Sequence, residues 1–307
     1  MDATLIFWRV LHFAATAQAV GVVFFASLVL RGLERQYPLR QLSSLFWISM
    51  AVALASGAAW FCAVTSAIAD APWTTAIADG TAGTLLADTQ FGRVWLFRFA
   101  AGVLLTAVTL LWKAESREAL IARNLQSILF IGGLAFAGHA GSTPRPKGEV
   151  HLASDLLHLI AVGAWVGGLL PFALCLQAPP KEASPHSVDV IREITRRFSN
   201  LGVAAVLVIA ATGLVNTWNL VGSVELLKTT EYGRLLLIKI AVFLSMVIVA
   251  AINRFALAPN LTEPQTIQAI RRNALIETAF GLIILSIVAA LGTMPPALMD
   301  HSAMHHS

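Results

Sequence analysis

Four histidines lie in or beside long apolar segments of this 307-residue chain, and imidazole is the commonest protein ligand for metal ions. They are His12, His139, His151 and His158. His151, Asp155 and His158 are spaced i, i+4 and i+7, which places all three side chains on one face of a helix. A carboxylate beside an imidazole can orient the ring or join the coordination. This face is therefore the leading candidate for binding a metal ion.

The C-terminal end of the chain adds softer ligands. Thioether sulfur suits Cu(I), whereas imidazole suits copper, zinc, iron and nickel. Residues 294–307 contain three methionines and three histidines, and we take five of these as candidate ligands: Met294, His301, Met304, His305 and His306. The mixture favours copper over zinc or iron, although short His-rich tracts also occur without any function.

The sequence contains none of the common catalytic signatures. It has no phosphate-binding glycine loop, no Gly-x-Ser-x-Gly nucleophile turn and no Cys-x-x-Cys pair, each of which carries a recognisable chemistry. We therefore expect no catalytic residues, no ATP-driven pumping and no enzyme. The residues favour a carrier, a channel or a protein that holds a cofactor.

The elements that position these ligands must lie in a membrane. Hydrophobic residues make up 57% of the chain and charged residues only 12%, against roughly 25% charged in soluble proteins. A bilayer crossing needs about 20 mostly apolar residues, and eight segments qualify: 4–30, 43–69, 91–112, 124–141, 150–177, 198–219, 233–257 and 273–294. The composition predicts an all-α, polytopic membrane protein in the lipid bilayer. The basic residues form no stripe, so we expect no nucleic-acid partner.

The distribution of Lys and Arg predicts the orientation. Four alternate loops hold 13 of them, namely 31–42, 113–123, 178–197 and 254–272. The other loops and both tails together hold only Arg145, Lys147 and Lys228. Because cytoplasmic loops carry the excess of positive charge, both termini should lie outside the cytoplasm.

Five further basic residues fall within or at the ends of the predicted spans, toward their outer halves. They are Arg9, Arg93, Arg98, Arg234 and Lys239. A charge inside a membrane is costly unless it is paired. Snorkelling to lipid headgroups explains those at the helix ends more easily than the deeper ones, for which we expect a partner or a ligand.

The two halves of the chain resemble each other. Phe91-Gly92-Arg93 in the third span matches Tyr232-Gly233-Arg234 in the seventh, and Leu11-His12-Phe13 in the first matches Leu157-His158-Leu159 in the fifth. We therefore predict two tandem four-helix repeats, followed by a Met/His-containing tail: 1–146, 147–294 and 295–307. Four crossings return the chain to the same side, so the repeats are parallel and related by a pseudo-twofold axis along the membrane normal.

The predicted symmetry has a consequence for the histidines. His12 and His158 each lie about eight residues below the outer end of their span, or roughly 12 Å at 1.5 Å per residue. Two equivalent imidazoles should then face one axis at the same depth.

Several segments resemble the copper resistance protein D (CopD) family of bacterial inner-membrane proteins. The resemblance is carried by His139, by the segment 151–168 (HLASDLLHLIAVGAWVGG), by 197–202 (RFSNLG), by 212–216 (TGLVN) and by 230–239 (TEYGRLLLIK). It implies eight helices, copper handling that is usually proposed to be import, and a separate periplasmic copper-binding partner of the CopC type.

The leading hypothesis is copper import from the periplasm to the cytoplasm. The tail with His139 or His151 would capture the ion, His12 and His158 would hold it, and Asp155 would orient a ligand or balance charge. A rival hypothesis is a b-type haem with His12 and His158 as axial ligands, whose propionates would pair with the outer basic residues. A third is a copper sensor or dock that does not transport.

Overall fold

The computed structural model describes residues 3–33, 39–112, 116–137, 147–177 and 185–299. In these ranges the chain forms eleven α-helices and no β-strand. Eight of the helices are long and apolar enough to cross a membrane, which confirms the all-α polytopic architecture. They are α1 (Ala3–Phe24), α2 (Leu39–Ala69), α5 (Gln90–Leu111), α6 (Arg117–Phe136), α7 (Lys147–Cys175), α8 (Pro185–Val221), α10 (Glu231–Ile252) and α11 (Pro264–Leu291).

Shorter elements complete the chain. Three connecting helices are α3 (Trp73–Ala78), α4 (Thr81–Asp88) and α9 (Val224–Thr229). Helix α1 continues as a π-helical turn over Phe25–Val29, and α10 continues as a π-helical turn over Asn253–Leu257 and a 3-10 turn over Ala258–Asn260.

Three crossing helices differ from their predicted bounds. Helix α6 begins and ends earlier than the predicted segment 124–141, and α8 and α11 begin 13 and nine residues before the predicted starts at 198 and 273. The added turns carry charged residues on one face and buried residues such as Ile191, Ile194 and Ile267 on the other. In α8, Glu193 accepts from both Arg196 and Arg197 at 2.7 Å. Hydropathy marks the part of a helix that lies in lipid, and the helix itself continues wherever i, i+4 pairs support it.

The two ends of the described chain lie on one side of the bundle. Near the start of α1, Arg9 donates from Nη1 to the carbonyl of Gly292, just beyond α11, at 3.0 Å. We call this the terminal side and the other the opposite side.

Helices α1 and α7 form the centre of the bundle and touch through their backbones. A Cβ atom on Gly21 would lie 2.0 Å from the carbonyl carbon of Gly167, and one on Gly167 would lie 2.0 Å from the carbonyl oxygen of Ala17. Next to this point Gln18 donates from Nε2 to the Gly167 carbonyl at 2.9 Å. Small residues let membrane helices approach this closely, so this crossing fixes how the first four spans meet the last four.

The starts of α5 and α10 share one local arrangement. Thr89 caps α5 by accepting from the amide of Gly92, and Thr230 caps α10 by accepting from the amide of Gly233. Each glycine lies under a preceding short helix, because a Cβ atom there would sit 2.1 Å or 2.4 Å from a carbonyl oxygen of α4 or α9. Thr89 and Thr230 are 141 residues apart in the sequence, and so are Gly92 and Gly233.

The outer surface of the bundle is apolar. Large side chains such as Leu111, Leu214 and Phe255 are more than 70% exposed. A soluble protein rarely exposes contiguous apolar surface of this kind, and a lipid bilayer would cover it.

Candidate metal-binding site

A cavity of about 230 Å³ opens on the terminal side. Helices α7, α8, α10 and α11 form most of its wall, and α1, the end of α6 and Trp60 of α2 close the remaining side. The wall is mostly apolar, with a few polar side chains converging on it: Arg9, His151, Asp155, His158, Asn216 and Lys239. A water needs roughly 10–15 Å³ on this measure, so the cavity admits an ion together with its water.

His158 is held so that one ring nitrogen is free for a ligand. Its Nδ1 lies 3.0 Å from the hydroxyl of Thr212, and that hydroxyl donates to the carbonyl of Val208 at 2.6 Å. Since the hydroxyl proton is used, the Thr212 oxygen accepts and Nδ1 of His158 carries the ring proton. The unprotonated nitrogen is then Nε2, the form in which imidazole binds a metal.

Asp155 lies one turn from His158 on the same wall and has two polar neighbours. Asn216 donates from Nδ2 to its carboxylate at 3.2 Å. The ammonium of Lys239 is near enough to act electrostatically on Asp155 and on His158. A carboxylate, an imidazole and an ammonium group therefore share one compartment.

Two more of the predicted residues border this cavity. His151 is 2% exposed and lines it one turn from Asp155, so the structure brings the i, i+4, i+7 set to one compartment as the spacing predicts. Arg9 also lines it, with its guanidinium over the Trp60 ring at 4.9 Å. Within the described ranges, however, no three His, Cys, Asp or Glu side chains come close enough to form a closed metal site.

His12 does not join this set. Its Nδ1 donates to the carbonyl of Ala53 at 2.8 Å, and its Nε2 accepts from Nη2 of Arg98 at 2.5 Å. Both ring nitrogens are therefore engaged inside the first four spans, where His12 is 3% exposed. The structure does not bring His12 to the cavity that His158 lines, since His12 bonds to α2 and α5 whereas His158 bonds to α8.

Aromatic side chains fill the space around His12. The rings of Trp60 and Trp95 lie 5.7 and 5.8 Å from the imidazole and meet each other at 5.0 Å and 90°. Arg98 is 1% exposed, stacks over Trp95 at 5.1 Å, and has no partner for Nε or Nη1 among the described residues. The first half thus holds a buried cation where the second half holds a cavity.

The remaining predicted ligands fall elsewhere. Met294 packs against an apolar cluster that includes Leu236 and Leu291 and is not among the residues lining the cavity. His139, His301, Met304, His305 and His306 lie outside the described residues.

Comparison with known proteins places the chain in a family. Residues 192–291 match the family described as copper resistance protein D, and residues 1–145 match the copper resistance protein D-like N-terminal domain. Copper resistance protein D of Pseudomonas syringae pv. tomato is 30% identical over 292 residues, which cover 91% of this chain and 92% of the relative. The chain belongs to the copper resistance protein D family.

Two further relatives extend the comparison. Inner membrane protein YebZ of Escherichia coli is 27% identical, over 95% of this chain and 98% of its own length. Copper transport protein CutJ of Bacillus subtilis is 29% identical over 94% of this chain, which spans only 52% of that longer protein. No solved structure matches the chain.

In this member of the copper resistance protein D family, sequence reasoning missed two features of the site. Thr212 sets the tautomer of His158, and Arg98 occupies the ring nitrogen of His12. The partners are 54 and 86 residues apart in the chain, so no local pattern joins them. A signal did exist in the predicted repeat: Asp155 aligns with Arg9, which reverses the charge beside the two histidines.

Proposed function

We propose that this protein handles copper in the bacterial inner membrane and imports it from the terminal side, through the cavity lined by His158, Asp155 and His151. The observation that carries the proposal is His158 itself, whose Nε2 is left unprotonated beside a carboxylate in an open compartment. Family membership supports the choice of copper, as do the printed names of two relatives, copper resistance protein D and copper transport protein CutJ.

The roles of the three residues follow from their chemistry. His158 supplies the primary nitrogen ligand and Asp155 compensates the charge of the ion or coordinates it. His151, nearest the terminal side of α7, receives the ion first. Since the described side chains do not form a closed site, we infer that entering copper draws them together or completes its coordination with water.

The proposed direction rests on the distribution of charge. The opposite side carries most of the described loop arginines, including Arg192, Arg254 and Arg272, and the positive-inside rule assigns that side to the cytoplasm. The terminal side is then periplasmic, and so are both termini. The Met/His tail, His139 and a CopC-type partner would deliver copper to the cavity from this compartment.

The haem hypothesis gains no support from the histidine geometry. An axial ligand needs a free ring nitrogen, and Nε2 of His12 accepts from Arg98. We therefore do not propose His12 as a ligand of haem or of copper. A sensor or dock that binds copper without moving it stays open to the following test.

Copper binding and copper uptake by purified protein test the proposal together. Wild-type protein in proteoliposomes should bind copper and accumulate it, and His158→Ala should lose both, because the unprotonated nitrogen is gone. Asn219→Ala serves as the control, since this amide lies one turn from Asn216 and its hydrogen bond among the described residues is to the carbonyl of Val215 in its own helix. Binding without uptake in wild-type protein would favour the sensor, and unchanged binding in His158→Ala would refute the site.

A further inference from the structure

A second cavity, of about 210 Å³, lies below the first between α7, α8, α10 and α11. Trp165 borders both cavities. This side chain is 2% exposed and meets the ring of Phe243 edge-on at 6.3 Å. The four helices of the second half therefore contain two compartments in series, one toward each side of the membrane, with an aromatic pair between them.

A buried carboxylate lies on the wall of the second cavity. Glu277 is 2% exposed and accepts a hydrogen bond from Nδ2 of Asn253 at 2.9 Å. Asn273 in turn donates to Oδ1 of Asn253 at 2.8 Å. The Asn253 amide is therefore oriented with its Nδ2 toward Glu277. In the part of the chain that the structure describes, no Lys, Arg or His forms an ion pair with Glu277. An ionised carboxylate at this position would lack a counter-charge.

Thr195 supplies an independent sign of a ligand. It is 5% exposed and lines the same cavity. Its hydroxyl has no hydrogen-bond partner among the described residues. Leaving a buried hydroxyl without a partner is unfavourable, and water in the cavity would satisfy it.

The charged and titratable groups around Glu277 are already engaged or lie at the edge of the bundle. Arg254 shares the cavity wall but donates to Ser199 at 2.6 Å and Asn200 at 3.1 Å. The inner half of α1 carries no charged residue and the inner end of α7 carries only Cys175. The others are exposed or near the start of their helices, namely Glu193, Arg196 and Arg197 on α8 and Arg271 and Arg272 on α11.

We propose that Glu277 is a proton-binding site that exchanges with water on the opposite side through the second cavity. Its carboxylate and one proton combine to a neutral carboxyl, and release returns the proton to that water. Carboxylate, amide and hydroxyl oxygens are poor ligands for soft Cu(I), so the group suits a proton better than the transported metal. The further claim, that this proton is coupled to copper passage past Trp165, rests on the proposed import function.

Infrared difference spectra of the purified protein between high and low pH test the proton site without copper. Wild-type protein should show a titrating carbonyl band of a protonated carboxyl that Glu277→Gln lacks. Glu263→Gln, at the exposed start of the same helix, should keep it. Thr195→Val should shift the midpoint of the titration. An identical band in Glu277→Gln, or a band that responds to sodium ions at constant pH, would overturn the assignment.

Copper uptake under an imposed pH gradient tests the coupling. Uptake by wild-type protein and by Glu263→Gln should change with the gradient by at least about fivefold. Uptake by Glu277→Gln should be insensitive to the gradient while its copper binding stays at the wild-type level. Gradient-dependent uptake in Glu277→Gln refutes the coupling. A wild-type protein that takes up no copper refutes import, and the infrared experiment still decides the proton site.

Discussion

The surroundings of His12 and His158 differ in what faces the imidazole. Each histidine uses Nδ1 for a neighbouring helix, α2 in one case and α8 in the other. At Nε2 the first half places the guanidinium of Arg98, whereas the second half leaves an open cavity. Both halves place a cation near the histidine, Arg98 in the first and Lys239 in the second, but among the described residues only Arg98 is hydrogen-bonded to the imidazole.

The predicted repeat shows which substitutions separate the two sites. Pairing the halves along the predicted repeat sets Asp155 against Arg9 and Lys239 against Arg98. The contacts add a third pair: Asn216 lies one turn after Thr212, which bonds to His158, and Trp60 lies one turn after Ser56, which is beside His12. Two tryptophans and an arginine close the first site, while shorter side chains leave the second one hollow. One scaffold can therefore provide a structural half and a ligand-binding half.

The largest expected effect is on stability in the first half. His12→Ala should lower the free energy of unfolding by about 3 kcal/mol, because it strands the buried guanidinium of Arg98 without its acceptor. His158→Ala should cost only about 1 kcal/mol, the value of one hydrogen bond. Reversible unfolding of the purified variants measures both.

A double variant isolates the cause. Adding Arg98→Met to His12→Ala should recover part of the lost stability, since removing both partners costs less than removing one. If His12→Ala were as mild as His158→Ala, the first site would not be the closed structural one.

The next effect concerns the orientation of the copper ligand. Thr212→Val removes the acceptor that fixes the tautomer of His158 and should weaken copper binding about 10- to 100-fold, as is typical for partners of metal ligands. Ser56→Ala, beside His12 at 3.4 Å, should leave it unchanged. Equilibrium copper titrations compare the pair, and equal losses in both variants would contradict the proposed division between the halves.

A smaller effect of opposite sign is expected at Lys239. Lys239→Met removes the positive charge that acts on Asp155 and His158, so the cavity should bind a copper cation about tenfold more tightly, equivalent to about 1.4 kcal/mol. The same titration measures it. Weaker binding would show that Lys239 helps to hold the ion's ligands in place.

The smallest expected effect on copper binding distinguishes Asn216 from Asn219, which lie one turn apart on α8. Asn216→Ala removes the hydrogen bond to Asp155 and should weaken copper binding about threefold to tenfold, consistent with one net hydrogen bond. Asn219→Ala should have no effect, because among the described residues Asn219 bonds only to the carbonyl of Val215. A reversed order of the two would contradict the role assigned to Asp155.

The sequence predicts the fold well, because lipid imposes a simple rule. Eight apolar segments become eight crossing helices, since a span must satisfy its backbone hydrogen bonds within itself. The starts of α8 and α11 were less predictable, since hydropathy reports burial in lipid and those first turns carry charged residues among the apolar ones.

The site was predictable only where its residues share a helix. The spacing of His151, Asp155 and His158 sufficed to place them on one wall, whereas symmetry alone put His12 beside His158. That expectation is not met because Arg98 approaches His12 from α5, and such a contact depends on tertiary packing. A repeat predicts where equivalent residues lie and not what their neighbours are.

The contact between Gly21 and Gly167 constrains how the protein can move. The backbones of α1 and α7 touch at this point, so separating the two helices would break their tightest contact. We therefore expect α1 and α7 to stay together while other helices move around them. The helices left to open and close a route are α8, α10 and α11, which line both compartments. Any alternation of access would then be a displacement of these helices around a stationary centre.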